Sequence, residues 1–85
     1  MNLVIAPTAR KMLKKLPQNI QKKAKKQFNF LLTNYKHPSL HARKMSGHDH
    51  YEARIDRSYR FTFQIEEKSI CVLAIGPHDT GLGKK

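Results

Sequence analysis

The spacing of apolar residues changes near the middle of this chain of 85 residues. From residue 9 to residue 35, apolar side chains recur every three or four positions, which is the period of an amphipathic helix. After a break at residues 36–39 they recur at every second position, which is the period of a strand with one buried face. A chain this short has room for one domain, so the two patterns must combine as helices packed on a sheet.

The first half of the chain is predicted to contain one strand and two helices. Residues 3–5 form a short apolar strand that ends at Pro7, and Thr8 is expected to cap the first helix. Pro17 should end that helix and start the second. The apolar stripes of the two helices are formed by Ala9, Met12, Leu13 and Leu16 and by Ile20, Ala24, Phe28, Leu31 and Tyr35. The helices should therefore form an antiparallel hairpin that is apolar on one side only.

The second half is predicted to contain four strands. The first, around residues 40–45, is weak, and the turn after it spans residues 46–49. The last, residues 70–75, is apolar at every position, as expected of a strand buried on both faces. The inward-facing residues of the two middle strands are Tyr51, Ala53 and Ile55 and then Tyr59, Phe61, Phe63 and Ile65. The sheet should have one face under the helices and a polar, open face opposite.

These elements predict an α+β fold with the order β-α-α-β-β-β-β, in which the helix hairpin packs on one face of a mainly antiparallel twisted sheet. The single domain is expected to cover residues 1–80, followed by a flexible basic tail, residues 81–85. The one cysteine, Cys71, excludes an internal disulfide, fits a reducing compartment and is expected to lie in the core. No apolar run approaches the ~20 residues of a membrane span, so a cytoplasmic location without a membrane partner is expected.

Positive charge is concentrated in the first half of the chain. The formal net charge is +11, residues 1–48 contain eleven Lys and Arg and no acid, and all six acids lie in residues 49–85. Such an uncompensated field attracts polyanions, so a nucleic acid is the favoured partner, with an acidic protein or a merely solvated surface as alternatives. The candidate RNA-binding residues are Lys22, Lys23, Lys25, Lys26, Arg43, Lys44 and Arg57.

The turn between the two middle strands fixes which residues face each other. Inward-facing residues pair across a hairpin, so Ile55 should lie opposite Tyr59. The loop is then residues 56–58, with Ser58 in the left-handed region that such loops commonly use. A two-residue loop would instead turn an arginine of the next strand toward the core, which is costly.

Two arginines should therefore face each other on the polar side of the sheet. The same register places Arg54 opposite Arg60 and Glu52 opposite Thr62. Like charges in such a position repel, so an anion between them is favoured. Glu52 can supply part of that charge, and a phosphate would serve better because its oxygens match the planar guanidinium. The alternative is that both arginine side chains extend into water.

One histidine, His78, directly follows the last strand and precedes Asp79, which could orient it as a proton donor or acceptor. An ordinary turn at the end of a strand explains this position equally well. The other histidines have no metal-ligand spacing, so neither a metal nor another cofactor is expected; they are His37, His41, His48 and His50.

Two sets of residues, together with the order of the elements, carry a resemblance to a known family. They are Leu40, Lys44, Met45 and Gly47 followed by Tyr51-Glu-Ala-Arg54-Ile-Asp and Tyr59-Arg60, and Ile75-Gly76 followed by His78. They resemble the RelE/ParE superfamily of toxins from type II toxin–antitoxin systems over nearly the whole chain. Members of the RelE branch are endoribonucleases that cut mRNA on the ribosome.

The resemblance implies a reaction and candidate catalytic residues. A ribose 2′-OH would attack the adjacent phosphate, with Arg60 stabilising the charged transition state and Arg54 assisting the nucleophile or gripping the phosphate. His78 would stabilise charge or protonate the leaving oxygen. Glu52 is the fourth candidate catalytic residue, although it stands where RelE itself usually has a Lys and the Glu general base of YoeB-type toxins comes from a different place in the chain. The family's C-terminal Tyr, which stacks on a base, is absent here.

Three functions fit this resemblance. The first is a ribosome-dependent mRNA endonuclease, with mRNA and ribosomal RNA as partners. The second is a ParE-like toxin that acts on DNA gyrase, and the third is a non-catalytic RNA-binding or interaction domain. All three allow an antitoxin partner, and the resemblance implies a small cognate antitoxin protein that covers the basic surface. None of the three implies a small-molecule cofactor.

Overall fold

The chain forms two helices and five strands within residues 2–45 and 49–77, which are the residues that the structure, a computed structural model, describes. In chain order the elements are β1 (Asn2–Ile5), α1 (Pro7–Lys15), α2 (Gln18–Thr33), a short 3₁₀ turn (Pro38–Leu40), β2 (Arg43–Lys44), β3 (Tyr51–Arg54), β4 (Tyr59–Ile65) and β5 (Ser69–Pro77). This confirms the predicted order β-α-α-β-β-β-β.

The strands form one mixed sheet in the order β1-β5-β4-β3-β2. β1 runs parallel to β5, and the other neighbouring pairs are antiparallel. The two helices carry the chain from one edge strand, β1, to the opposite edge strand, β2, and pack on one face of the sheet. The fold is thus α+β with the helix hairpin on one face, as predicted.

The core lies between the helix hairpin and the inward face of the sheet. Phe28 of α2 meets Phe61 of β4 edge to face, with ring centroids 5.1 Å apart. The helix stripes and the inward-facing positions of β3 and β4 that the spacing predicts supply most of the buried apolar residues. These residues are Ala9, Ile20, Ala24, Phe28, Leu31, Leu40, Ala53, Ile55, Phe61, Phe63, Ile70, Val72 and Ile75.

The predicted cap of α1 is wrong. Thr8 lies inside the helix, whose first residue is Pro7, and Ala6 precedes it without a side-chain hydrogen bond. Proline suits this position because its fixed φ is already helical and its missing N–H needs no partner. Tyr35, which the spacing places on the stripe of the second helix, lies beyond the last residue of α2 and still packs against the core.

The weak strand predicted around residues 40–45 is mostly a turn. Leu40 ends the 3₁₀ turn and is fully buried, and His41 has a left-handed backbone with φ of 49°. Within the described residues, pairing of this segment with β3 is limited to Arg43 and Lys44. The left-handed residue breaks the extended conformation, so a turn rather than a strand brings Leu40 into the core.

β5 is well buried on one face only, contrary to the prediction. The register shifts between Thr62 and Phe63, which leaves Leu73 of β5 without a ladder partner in β4. Cys71 pairs with Val4 of β1, which is 49% exposed, and the predicted core position of Cys71 is wrong. The core side of β5 is formed by Ile70, Val72 and Ile75, and the half-buried residues are Cys71, Leu73 and Ala74. An apolar run does not show whether a second layer covers the strand, and here the helices cover one side.

The turn between β3 and β4 is shaped by Asp56 rather than by a left-handed Ser58. Among the described residues other than glycine, only His41 has a positive φ. Oδ1 of Asp56 instead accepts hydrogen bonds from the backbone N–H groups of Ser58 at 2.8 Å and Tyr59 at 3.0 Å. Oδ2 lies 3.7 Å from Nζ of Lys23 in α2, so one carboxylate shapes the turn and links it to the helix.

Replacing Asp56 by Ala should lower the free energy of unfolding by about 1–2 kcal/mol, because two backbone N–H groups lose their acceptor. Replacing it by Asn should lower it less, since the amide oxygen still accepts both bonds and only the surface ion pair, worth under about 1 kcal/mol, is lost. Urea unfolding of the three proteins measures the difference. Equal losses for the two variants would mean that the ion pair, and not the turn, stabilises this loop.

Candidate functional site

Arg54 and Arg60 lie directly opposite each other in the antiparallel pair of β3 and β4. Their neighbours Ala53 and Phe61 point into the core, so both arginines project from the sheet face opposite the helices. The register predicted from the sequence is therefore confirmed. Two like charges at such a position repel, which makes the nearest carboxylate important.

That carboxylate belongs to Glu52, which pairs with Thr62 in the ladder. Oε1 of Glu52 lies 3.6 Å from Nη1 of Arg60 and 3.4 Å from Nη2 of Arg43. The Glu52 side chain is only 3% exposed, and Thr62 is buried as well. The sheet face predicted to be open is thus closed at this point, because two guanidinium groups converge on a carboxylate that lies close to the sheet.

Arg43 reaches this group from the edge strand β2. It lies opposite Glu52 in the ladder, whereas Lys44 lies opposite Tyr51, whose ring packs against the core. Adjacent strand residues point to opposite faces, so β2 contributes Arg43 to the site and turns Lys44 away from it. The structure therefore brings together four of the predicted site residues, which we term the arginine cluster: Arg43, Glu52, Arg54 and Arg60.

A buried glutamine, Gln27 of α2, links the helix hairpin to the arginine cluster. Its Nε2 donates to the backbone carbonyl oxygens of Arg54 at 2.8 Å and Ser39 at 3.1 Å, and its Oε1 accepts from the Ser39 hydroxyl at 3.4 Å. The bond to Arg54 holds the end of β3 at a point beyond its pairing with β2. Sequence reasoning missed this residue. The available signal was a polar side chain on the apolar stripe, between Ala24 and Leu31.

The four predicted RNA-binding lysines of α2 are all exposed but point in different directions. Lys23 contacts the β3–β4 turn, and Nζ of Lys26 lies 6.0 Å from the ring centroid of Phe30. Lys23 and Lys26 are three residues apart and so share the side of the helix next to that turn. Lys22 and Lys25 project at other angles. The helix therefore presents a broad basic surface rather than one compact site.

The remaining predicted site residues are Arg57 and His78. Arg57 lies at the exposed tip of the β3–β4 turn. His78, like the predicted tail of residues 81–85, lies outside the described residues. Within residues 2–45 and 49–77, no three His, Cys, Asp or Glu side chains come together as potential metal ligands. No helix in that part combines the length and the apolarity that a bilayer crossing requires.

A comparison with protein families covers almost the whole chain. Residues 3–81 match the family model described as the ParE toxin of the type II toxin–antitoxin system, parDE. Among curated protein sequences, none matches the chain significantly. The family is thus assigned by the model match over most of the chain's length.

Solved structures of several toxins are similar to this one. A YoeB/ParE toxin from Agrobacterium tumefaciens has a TM-score of 0.81 at 13% identity, covering 92% of this chain and 99% of that chain. A chain of the archaeal RelE–RelB complex from Pyrococcus horikoshii OT3 has a TM-score of 0.80 at 21% identity, covering 94% and 97%. A chain of the intact E. coli RelBE toxin–antitoxin complex has a TM-score of 0.73 at 23% identity, covering 88% and 93%. At these identities the likeness shows the fold alone.

Replacing Gln27 by Ala should lower the free energy of unfolding by about 2 kcal/mol, because two backbone carbonyl groups lose a donor that is itself buried. Asn29→Ala is the matched control, since Asn29 is an exposed polar residue of the same helix, and it should change stability by less than about 0.5 kcal/mol. Urea unfolding compares the two variants. Equal stability losses would show that Gln27 does not hold the two segments together.

Proposed function

The chain belongs to the family of ParE toxins of type II toxin–antitoxin systems, and we propose that it acts as a ribosome-dependent mRNA endonuclease. In this reaction a ribose 2′-OH attacks the adjacent phosphorus, and the bond from phosphorus to the 5′ oxygen of the next nucleotide breaks. The proton of the 2′-OH passes to a base, and the departing 5′ oxygen takes up a proton. The products are a 2′,3′-cyclic phosphate and a 5′-hydroxyl end.

The observation that supports this proposal is the cross-strand pair of Arg54 and Arg60. Two guanidinium groups offer planar sets of N–H donors that match phosphate oxygens. The negative charge that develops on those oxygens in the transition state would offset the repulsion between the two arginines. The pairing register of the sheet holds the two backbones, so both side chains start from neighbouring positions on one face of the sheet.

Each candidate catalytic residue has a distinct proposed role. Arg60 would stabilise the transition-state charge, and Arg54 would grip the phosphate or assist the nucleophile. His78 would stabilise charge or protonate the departing 5′ oxygen. Arg43 would extend the phosphate-binding surface toward the sheet edge. Glu52 is buried, so it would act through the arginines that it contacts and not on the RNA itself.

The lysines of α2 would supply the electrostatic part of RNA binding. Residues 1–48 contain no acid, and although Asp56 lies close to Lys23, most of their positive field would remain to attract the phosphates of ribosomal RNA. The same field would attract a cognate antitoxin with acidic docking segments. Two of the similar RelE chains were solved in complexes with RelB. We propose an antitoxin partner for this chain as well. Because translating ribosomes are cytoplasmic, the proposed activity would take place in the cytoplasm.

A translation-coupled cleavage assay tests the proposed reaction. Wild-type protein should cut a reporter mRNA that is being translated on purified ribosomes, and primer extension should locate the cut sites. Arg60→Ala should lower the cleavage rate by about a hundredfold or more, because a preorganised donor to the developing charge is lost. Arg10→Ala removes the same charge from the exposed surface of α1 and should stay within about twofold.

A wild-type protein that arrests growth but cuts no mRNA on ribosomes would refute the endonuclease. It would favour the second candidate, inhibition of DNA gyrase, which the match to the ParE family model supports. In that case Arg60→Ala should still arrest growth and should inhibit gyrase supercoiling in vitro as well as the wild type does.

A further inference from the structure

A buried carboxylate in the middle of the arginine cluster requires a physical explanation. The Glu52 side chain is 3% exposed, and burying a carboxylate is costly unless it is paired. Here the pairing comes from two guanidinium groups, at 3.4 Å from Arg43 and 3.6 Å from Arg60, and both contact the same oxygen, Oε1. The charge of Glu52 is therefore neutralised by arginines of the same sheet face.

The same burial limits what Glu52 can do to a substrate. A side chain that is 3% exposed offers almost no surface to a ribose hydroxyl, so direct proton transfer with RNA would require the covering side chains to move. Its partners are more accessible, since the side chain of Arg43 is 70% exposed and that of Arg60 is 17% exposed. An anionic ligand would therefore meet the arginines before it met the carboxylate.

Carboxylate and phosphate oxygens use the same guanidinium donors. We propose that Glu52 is an internal counter-ion, which holds Arg43 and Arg60 in place in the free protein and competes with an RNA phosphate for them. Glu52 is thus a positioning residue that fixes the geometry of the anion site and lowers its affinity. The inference depends on the proposed function only for the identity of the anion as a phosphate of RNA.

An internal competitor also explains how a chain with a net charge of +11 could discriminate among anions. Without Glu52, three arginines on one sheet face would hold any phosphate that the positive field attracts. With Glu52, a ligand must contact the guanidinium groups better than the carboxylate already does. The contacts of Glu52 with the two arginines are themselves weak. Their distances of 3.4 and 3.6 Å exceed the ~2.7–2.9 Å of strong charge-assisted hydrogen bonds, so a well-placed phosphate can replace the carboxylate.

Binding of an uncleavable RNA tests the inference separately from catalysis. The probe is a short RNA with 2′-O-methyl groups on every ribose, which cannot attack the phosphate, and titration calorimetry at fixed salt measures its affinity. Glu52→Gln keeps the shape of the side chain and removes the charge, so it should bind this RNA about tenfold more tightly than the wild type. Glu67→Gln makes the same charge change in the exposed turn between β4 and β5 and should stay within about twofold.

An affinity of Glu52→Gln equal to or weaker than that of Glu67→Gln would overturn the inference. Wild-type protein provides a second measurement if Glu52→Gln does not fold. On titration with the same RNA, the side-chain carboxyl ¹³C resonance of Glu52 should shift as its arginines turn to the phosphate, and that of Glu67 should not. A Glu52 resonance that stays in place at saturation would also overturn it. If tighter binding by Glu52→Gln accompanies a wild type that cuts no mRNA, the endonuclease proposal fails and this one stands.

Discussion

If β3 slipped by one residue against β4, its alternation would reverse and Glu52 and Arg54 would point under the helices. Unpaired charges buried there, next to Phe28 and Phe61, would cost several kcal/mol. Two arginines facing each other across a ladder on the opposite face cost only about 1 kcal/mol or less. The packing of the apolar face therefore sets the register, and the register brings the arginines together whether or not they repel.

This dependence explains why the arginine pair could be predicted from the sequence. Alternation along residues 51–65 determines both the inward-facing side chains and the length of the loop, and the pairing follows from those two. The same local reasoning fails where a second layer decides the outcome. Cys71 sits in an unbroken apolar run but is half-buried, because the helices cover one side of β5. Leu40 is core as its apolar character indicates, but the left-handed backbone at His41 makes its segment a turn.

The parts of the candidate site that the sequence did not indicate are those that depend on distant contacts. Gln27 bonds to carbonyl groups 12 and 27 residues away, and a polar residue on a helix stripe does not identify such partners. Arg43 forms an ion pair with the buried Glu52, and the two-residue strand β2 decides that Arg43 and not Lys44 joins the cluster. The weak alternation of residues 40–45 places Lys44 on the inward side and Arg43 on the other, but a ladder of two residues is too short to show that Arg43 would reach Glu52.

The positive charge of this chain acts at two distances. The lysines of α2 are exposed and act through a field that extends about one Debye length, ~10 Å at 0.1 M salt, with little dependence on geometry. The arginine cluster acts at contact, and Glu52 leaves its three arginines with two positive charges in excess. In the proposed function the lysines would therefore set the association rate of a polyanion, and the arginine cluster would determine which phosphate group is bound. Under the proposed competition, Glu52 would have to release Arg43 and Arg60 before that phosphate is held, so the carboxylate rather than the net charge would set the selectivity of the site.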